Sequence, residues 1–334
     1  MSRRFKRSVS GLVSAVVLTA VAACGGGSTS GGGDPVPSSD QSAAFPVTVD
    51  TMFGRVTVEK APTRVVALGW SDAETALALG VQPVGASDWL AFGGEGVGPW
   101  AQGLYTTPPT ILGTMEISYE AVAALQPDLI LNTRSDNDRT KYETLSKIAP
   151  TISAPEGVIQ YGTTWRQQME LVSTALGRAA EGEKLISEVE GRFTAAKQAN
   201  PAFAGKQVVV GAYYGGKYGA YVAGDARVDF MTELGFTNKK EIQEIDSKGT
   251  FYVDISSEQL AMYDSDLTVM FPIGADAQVL RDDTVLNSQQ VAKDGHLLIL
   301  DDAELVSAFS SGSTLGTSYA VEKAVPLFAE TAAK

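Results

Sequence analysis

The chain has 334 residues, of which 44% are hydrophobic, 19% charged and 8% aromatic; this is enough to bury a sizeable core, and the length points to two lobes or domains. Its 26 basic residues stand against 39 acidic ones, a formal charge of −13, and four of the basic residues (Arg3, Arg4, Lys6 and Arg7) fall within the first seven positions; so acidic a body excludes a nucleic-acid partner, because phosphate binding needs clustered Lys and Arg. One Cys and one His exclude an intramolecular disulfide, a four-ligand structural zinc site and the two-histidine helix of a zinc protease.

The first residues read as an address rather than a fold. Residues 1–7 form a basic segment and residues 8–23 an apolar run, shorter than the roughly 20 residues of a membrane span and typical of an export signal peptide. The run ends in Val21-Ala22-Ala23-Cys24. This looks like a bacterial lipobox, in which Cys24 becomes the lipidated first residue of the mature protein, so residues 1–23 are assigned to the signal. Residues 24–44 are then a tether: after Cys24 they are mostly Gly, Ser, Pro and Asp, with almost no large apolar side chain to pack. Anchor and tether together predict a folded part held outside the cytoplasmic membrane.

Beyond the tether, Val47-Thr48-Val49 and Val56-Thr57-Val58 alternate apolar with polar around a turn, which predicts a hairpin. A strand is expected over 64–69, a helix capped by Ser71-Asp72 and closed by Gly80, a strand over 81–86, a Gly-rich loop over 88–109, a helix over 120–125 and a strand over 128–131. Apolar residues recur at helical spacing over 165–177 and again over 179–199, where Leu185, Ile186, Val189, Phe193 and Ala196 lie among many charges before Pro201. A second α/β series follows, with strands over 207–214, 267–271 and 297–300 and helices over 228–234 and 257–263. The fold class is therefore α/β. An N-terminal lobe (45–178) and a C-terminal lobe (200–334) are joined by one long charged helix (179–199), and a ligand cleft is expected between them at the carboxyl ends of their strands.

The motifs RVVALGW (64–70), ALALGVQP (76–83), EAVAALQPDL (120–129), NPAFAGK (200–206) and SSEQL (256–260), in this order behind a lipobox, resemble a known family. It is that of the substrate-binding lipoproteins of ABC importers for iron siderophores, haem and cobalamin. The resemblance covers residues 45–334 and implies two Rossmann-like lobes bridged by a single rigid helix, no catalysis, no cofactor of the protein's own, and action as a monomer that captures a ferric siderophore for a membrane permease. Haem or cobalamin capture is the alternative within that class, and a surface interaction protein without a transport role is a lower-ranked one. In the family, one acidic residue on each lobe docks onto an arginine cluster of the permease; the matching positions here are Glu120 and Glu258.

The resemblance also nominates ligand-facing residues on loops after strands: Trp70, Arg134, Tyr213, Tyr214 and Arg227. Tyr213 and Tyr214 point to opposite faces of one strand, so one of them belongs to the core. Trp89 and Trp100 either line the cleft or pin the Gly-rich loop, Trp165 opens an amphipathic helix, and His296 sits in a turn, unsuited to metal binding. Where relatives that take catecholates carry a further arginine, this chain has Pro272-Ile273-Gly274, which leans toward neutral or weakly charged chelates. No Gly-x-Ser-x-Gly is present, which argues against a hydrolase.

Overall fold

Alternation of Val with Thr on either side of a tight turn produces the first element. Strands β1 (Val47–Thr51) and β2 (Gly54–Val58) pair antiparallel with Val49 opposite Val56, and one face of the hairpin is buried. The computed structural model describes residues 45–114, 116–245 and 247–334; the expected signal peptide (1–23), Cys24 and the tether (24–44) lie outside the described residues. Among the described residues no helix is long and apolar enough to cross a membrane.

The first lobe is built on β3 (Val65–Ala67), β4 (Gly85–Ser87), β5 (Thr110–Leu112), β6 (Leu129–Asn132) and β7 (Thr151–Ser153), in the spatial order β5-β4-β3-β6-β7 with every pair parallel. All residues of β3 and β6 are buried, as required of parallel strands covered by helices on both faces. Helices α1 (Asp72–Ala78), α2 (Tyr119–Ala124), α3 (Arg139–Leu145) and α4 (Trp165–Ala175) supply that cover. The chain builds outward from β3 in one direction and returns through β6 in the other, so the switch point falls at the carboxyl ends of β3 and β6. The strand expected over 81–86 begins only at Gly85, because Pro83 has no N–H for the ladder.

Helix α5 (Ala179–Ala199) has 21 residues, about 31 Å at 1.5 Å per residue. Its buried positions Gly182, Ile186, Val189 and Phe193 form one stripe, and a Cβ at Gly182 would collide with Ser173 of α4, so the two helices cross closely there.

The second lobe holds β8 (Gln207–Tyr214), β9 (Lys217–Tyr221), β10 (Thr237–Asn238), β11 (Tyr252–Ile255), β12 (Leu267–Ile273) and β13 (Leu297–Ile299), ordered β11-β9-β8-β12-β13, with β10 beside the start of β8. Its half from β8 to β13 is parallel, whereas β8-β9 and β9-β11 are antiparallel. The β8-β9 turn is Gly215-Gly216, with φ of 59° and 82°, a pair of left-handed positions that suits a tight hairpin and glycine. Helices α6 (Ala226–Glu233), α7 (Lys240–Gln243), α8 (Gln278–Arg281), α9 (Thr284–Asn287), α10 (Gln290–Lys293), α11 (Ala303–Ser311) and α12 (Thr314–Ala332) complete it. The expected helix 257–263 forms as a 3₁₀ turn, Ser257–Tyr263, closed by i to i+3 bonds such as Asp264 N to Ala261 O.

One apolar core runs from the hairpin (Val49) through α4 and α5 (Met169, Phe193) into the second sheet (Val210) and α12 (Phe328). Helix α12 touches α1 and α4 of the first lobe as well as α5, β12 and β13. The two lobes thus share their central packing.

Candidate functional site

A cavity of about 1130 Å³ lies between the lobes, slightly above the usual 300–1000 Å³ of small-molecule sites. The first lobe contributes Trp70, Trp89 and Leu90; the second contributes Tyr214 and Ile273 from the carboxyl ends of β8 and β12, together with Arg227, Phe251 and Phe271. Tyr214 and Ile273 are register partners and remain 63% and 40% exposed, so they form an apolar lip left open among the described residues.

Trp70 follows β3 at the switch point, as the sequence predicts, and is the centre of an aromatic stack. Trp89 lies on one side of it with centroids 4.2 Å apart and Tyr161 stacks at 4.0 Å, while Phe251 of the other lobe meets Trp70 edge-on at 6.1 Å. Two non-glycine residues in left-handed backbone, Ser71 (φ 63°) and Tyr161 (φ 56°), flank this stack, a strain of about 1–2 kcal/mol each that is common beside binding sites. At Ser71 the reason is visible: its Oγ accepts from Trp89 Nε1 at 3.2 Å and donates to Ser311 O at 2.6 Å across the lobes. Ser71 therefore does not cap α1 with its side chain, contrary to expectation.

Arg227 is 5% exposed and lines the cavity. Its Nη1 donates to both carboxylate oxygens of Asp225 (3.0 and 3.2 Å), its Cζ lies 3.9 Å from the Tyr221 ring centroid, and its buried Nε–H has no partner. Asp225 in turn caps α6 by accepting from Arg227 N, so one carboxylate fixes both the helix start and the guanidinium.

Two expected ligand residues are placed elsewhere. Arg134 is 1% exposed and stands behind the wall, with Cζ 5.7 and 5.6 Å from the Trp70 and Trp89 rings. Its Nε donates to Tyr161 O (2.9 Å) and its Nη1 to Ser311 O (2.7 Å), so it clasps the lobes rather than facing the ligand. Burial pulls its pKa down to about 10 although Asp225 opposes the shift. Tyr213 packs on the outer core of the second sheet, its ring 5.1 Å from that of Tyr218; Tyr214 is the one of the pair at the cavity.

Behind the stack, α1 carries two buried carboxylates. Asp72 accepts from Thr133 N (3.0 Å), Thr133 Oγ1 and Gln168 Nε2 (2.8 Å), and burial pushes its pKa up to about 6 despite these bonds. Glu74, likewise raised by burial, accepts from Gly98 N (3.1 Å), Trp100 Nε1 (2.8 Å) and Ser313 Oγ, the N-cap of α12. Trp100 thus pins the Gly-rich loop, whereas Trp89 lines the cleft. Trp165 is a packing residue whose Nε1 donates to Glu233 of α6 at 2.8 Å. His296 serves its turn, its N donating to Val291 O at 2.9 Å.

Glu120 and Glu258 are both exposed, each in the first turn of its helix. Hydrogen bonding, to its own backbone first and then to Ser256, lowers the Glu258 pKa. Among the described residues no group of three or more His, Cys, Asp or Glu side chains is placed to hold a metal ion.

Sequence reasoning missed Tyr161, Phe251, Tyr221 and Tyr252. Tyr221 and Tyr252 are register partners on β9 and β11; the Gly215-Gly216 turn signal could have exposed the first of these strands. Burial raises the phenol pKa of both, Tyr221 to about 12, which disfavours a phenolate from either.

The family model for periplasmic binding proteins matches residues 65–304. The curated "Probable siderophore-binding lipoprotein YfiY" of Bacillus subtilis strain 168 is 27% identical over 223 residues, which is 64% of this chain and 65% of that protein; the chain thus spans just under two thirds of that relative's length. The crystal structure of a periplasmic solute binding protein from Mycobacterium smegmatis is 29% identical with a TM-score of 0.72, covering 86% of this chain and 99% of that one. PiaA of Streptococcus pneumoniae TIGR4, solved in complex with ferrichrome, is 27% identical with a TM-score of 0.73 and the same coverage.

Proposed function

The chain belongs to the periplasmic binding protein family, and from that membership we propose that it is a lipid-anchored, extracytoplasmic receptor that captures a ferric siderophore for an ABC importer. The observation that carries the proposal is the cleft itself. It has an aromatic and aliphatic wall, an open lip at Tyr214 and Ile273, and one oriented guanidinium with an unpartnered N–H. A ferric chelate brings its own iron ligands and offers an apolar rim with oxygen acceptors, so such a wall suits it without any metal-binding side chain. Trp70, Tyr214 and Arg227 are the proposed ligand contacts. Residues 45–178 and 200–334 are the proposed lobes, with 179–199 as the bridge. Cys24 carries the proposed lipid, and Glu120 and Glu258 are the proposed docking points on a basic permease surface, where their exposure leaves both carboxylates available.

The test is to titrate tryptophan fluorescence of the full-length protein in detergent with ferric siderophores, their iron-free forms, haem and cyanocobalamin. Saturable quenching by a ferric siderophore and not by its iron-free form is expected; saturation by haem or cobalamin alone would overturn the siderophore assignment. In cells, Glu120→Lys with Glu258→Lys should abolish uptake and leave that titration unchanged, and loss of affinity in the double variant would overturn the docking assignment.

A further inference from the structure

Among the described residues that line the cavity the charges are few and nearly all accounted for. Arg227 is paired with Asp225, and Asp301 on the cavity wall is paired with Arg281 at 2.5 Å. Arg134, behind the tryptophans, has Asp225, Asp229 and Asp72 as its neighbouring acids. That leaves Asp276, an exposed wall residue whose Oδ1 accepts from Gln278 N at 2.7 Å at the start of α8 and which has no ion-pair partner. No wall residue supplies an uncompensated cation. The one cation that lines the cavity, Arg227, is a guanidinium already balanced by a carboxylate, so it offers hydrogen bonds rather than net positive charge. The chain's charge of −13 adds long-range repulsion of the same sign.

On the siderophore reading given above, we propose that the cleft selects by net charge. It admits ferric chelates of charge zero or +1, those in which three monoanionic hydroxamates neutralise Fe(III), and rejects polyanionic tris-catecholates. Arg227 is the hydrogen-bond donor to a chelate oxygen, and Asp276 is the specificity-determining residue. An uncompensated carboxylate about 10 Å from a ligand carrying three negative charges weakens binding by on the order of a hundredfold at the effective dielectric of a protein surface once the screening of about 0.05 M salt is included.

The experiment titrates the full-length protein in detergent with a tris-hydroxamate ferric complex of charge zero, one bearing a free amine at charge +1, and a tris-catecholate complex at −3, each at 0.05 and 0.5 M NaCl. The first two are expected to saturate, and the third to bind about a hundredfold more weakly, with the gap narrowing at high salt as the screening length shortens. Asp276→Asn, which keeps the helix-start acceptor, should strengthen the −3 complex by on the order of a hundredfold and leave the neutral one unmoved. A −3 complex that binds within tenfold of the neutral one, or a ratio that Asp276→Asn does not change, overturns charge selection while leaving the siderophore reading intact. Failure of all three complexes on a cooperatively melting protein overturns both.

Discussion

The clasp between the lobes can be tested at a glycine. Gly312 separates α11 from α12 at φ 62°, and a Cβ there would collide with Arg134 Nη1, the donor to Ser311 O. Gly312→Ala therefore carries two penalties. Left-handed backbone in a non-glycine residue costs about 1 kcal/mol, and displacing the guanidinium loses a charge-assisted hydrogen bond of about 1.5–3 kcal/mol, for a total of about 2.5–4 kcal/mol. Gly103 provides the control: φ is 79° but nothing lies within 4 Å of the added Cβ, so Gly103→Ala should lose only the backbone contribution. At about 2–4 °C per kcal/mol for a chain of this size, the expected fall in Tm is about 2–4 °C for Gly103→Ala and about 5–16 °C for Gly312→Ala. In an Arg134→Met background the Gly312→Ala loss should shrink to that of the control. Equal losses at the two glycines, or an unchanged loss beside Met, would refute the clasp.

Further outcomes follow from the same geometry. Burial, reinforced by Asp225, raises the Asp229 pKa from 3.8 to about 6, so the stability from its protonation is present below pH 4 and lost as pH rises through 6. Asp229→Asn should melt with the parent near pH 4 and above it at pH 7.5, by on the order of 1–3 kcal/mol; parallel Tm curves would contradict this. Tyr214→Ala should weaken the ferric ligand at least tenfold at unchanged Tm, whereas Tyr213→Ala should lower stability by about 2 kcal/mol at unchanged affinity. Thermal melts and the fluorescence titration separate the two outcomes.

Much of the architecture was legible. Helix 179–199 and strand 207–214 carry strong local signals, a 3.6-residue apolar stripe in one and a β-branched run in the other, and both form within those limits. Trp70 was legible as well, because it follows a buried strand of an α/β layer directly. The direction of Arg134 was not. Its partners are backbone carbonyls of Tyr161 and Ser311, 27 and 177 residues away, and carbonyl acceptors leave no mark on residue type. Tyr161 and Phe251 were missed for a related reason: each lies outside any periodic segment and becomes a cleft residue only when the two lobes meet across Trp70.

Helix α12 is the last of the described elements in chain order, yet its N-cap Ser313 bonds Glu74 of α1 and its Tyr319 lies 5.6 Å from Trp100 of the Gly-rich loop. The first lobe is therefore complete only when α12 is in place. The loop bearing Trp89 and Trp100 is held by Ser71 and Glu74 of its own lobe and gains a further support from Ser313 and Tyr319 of α12. Order in the first lobe thus depends on an element far along the chain, and a variant truncated before α12 should loosen first at the Gly-rich loop of its amino-terminal half.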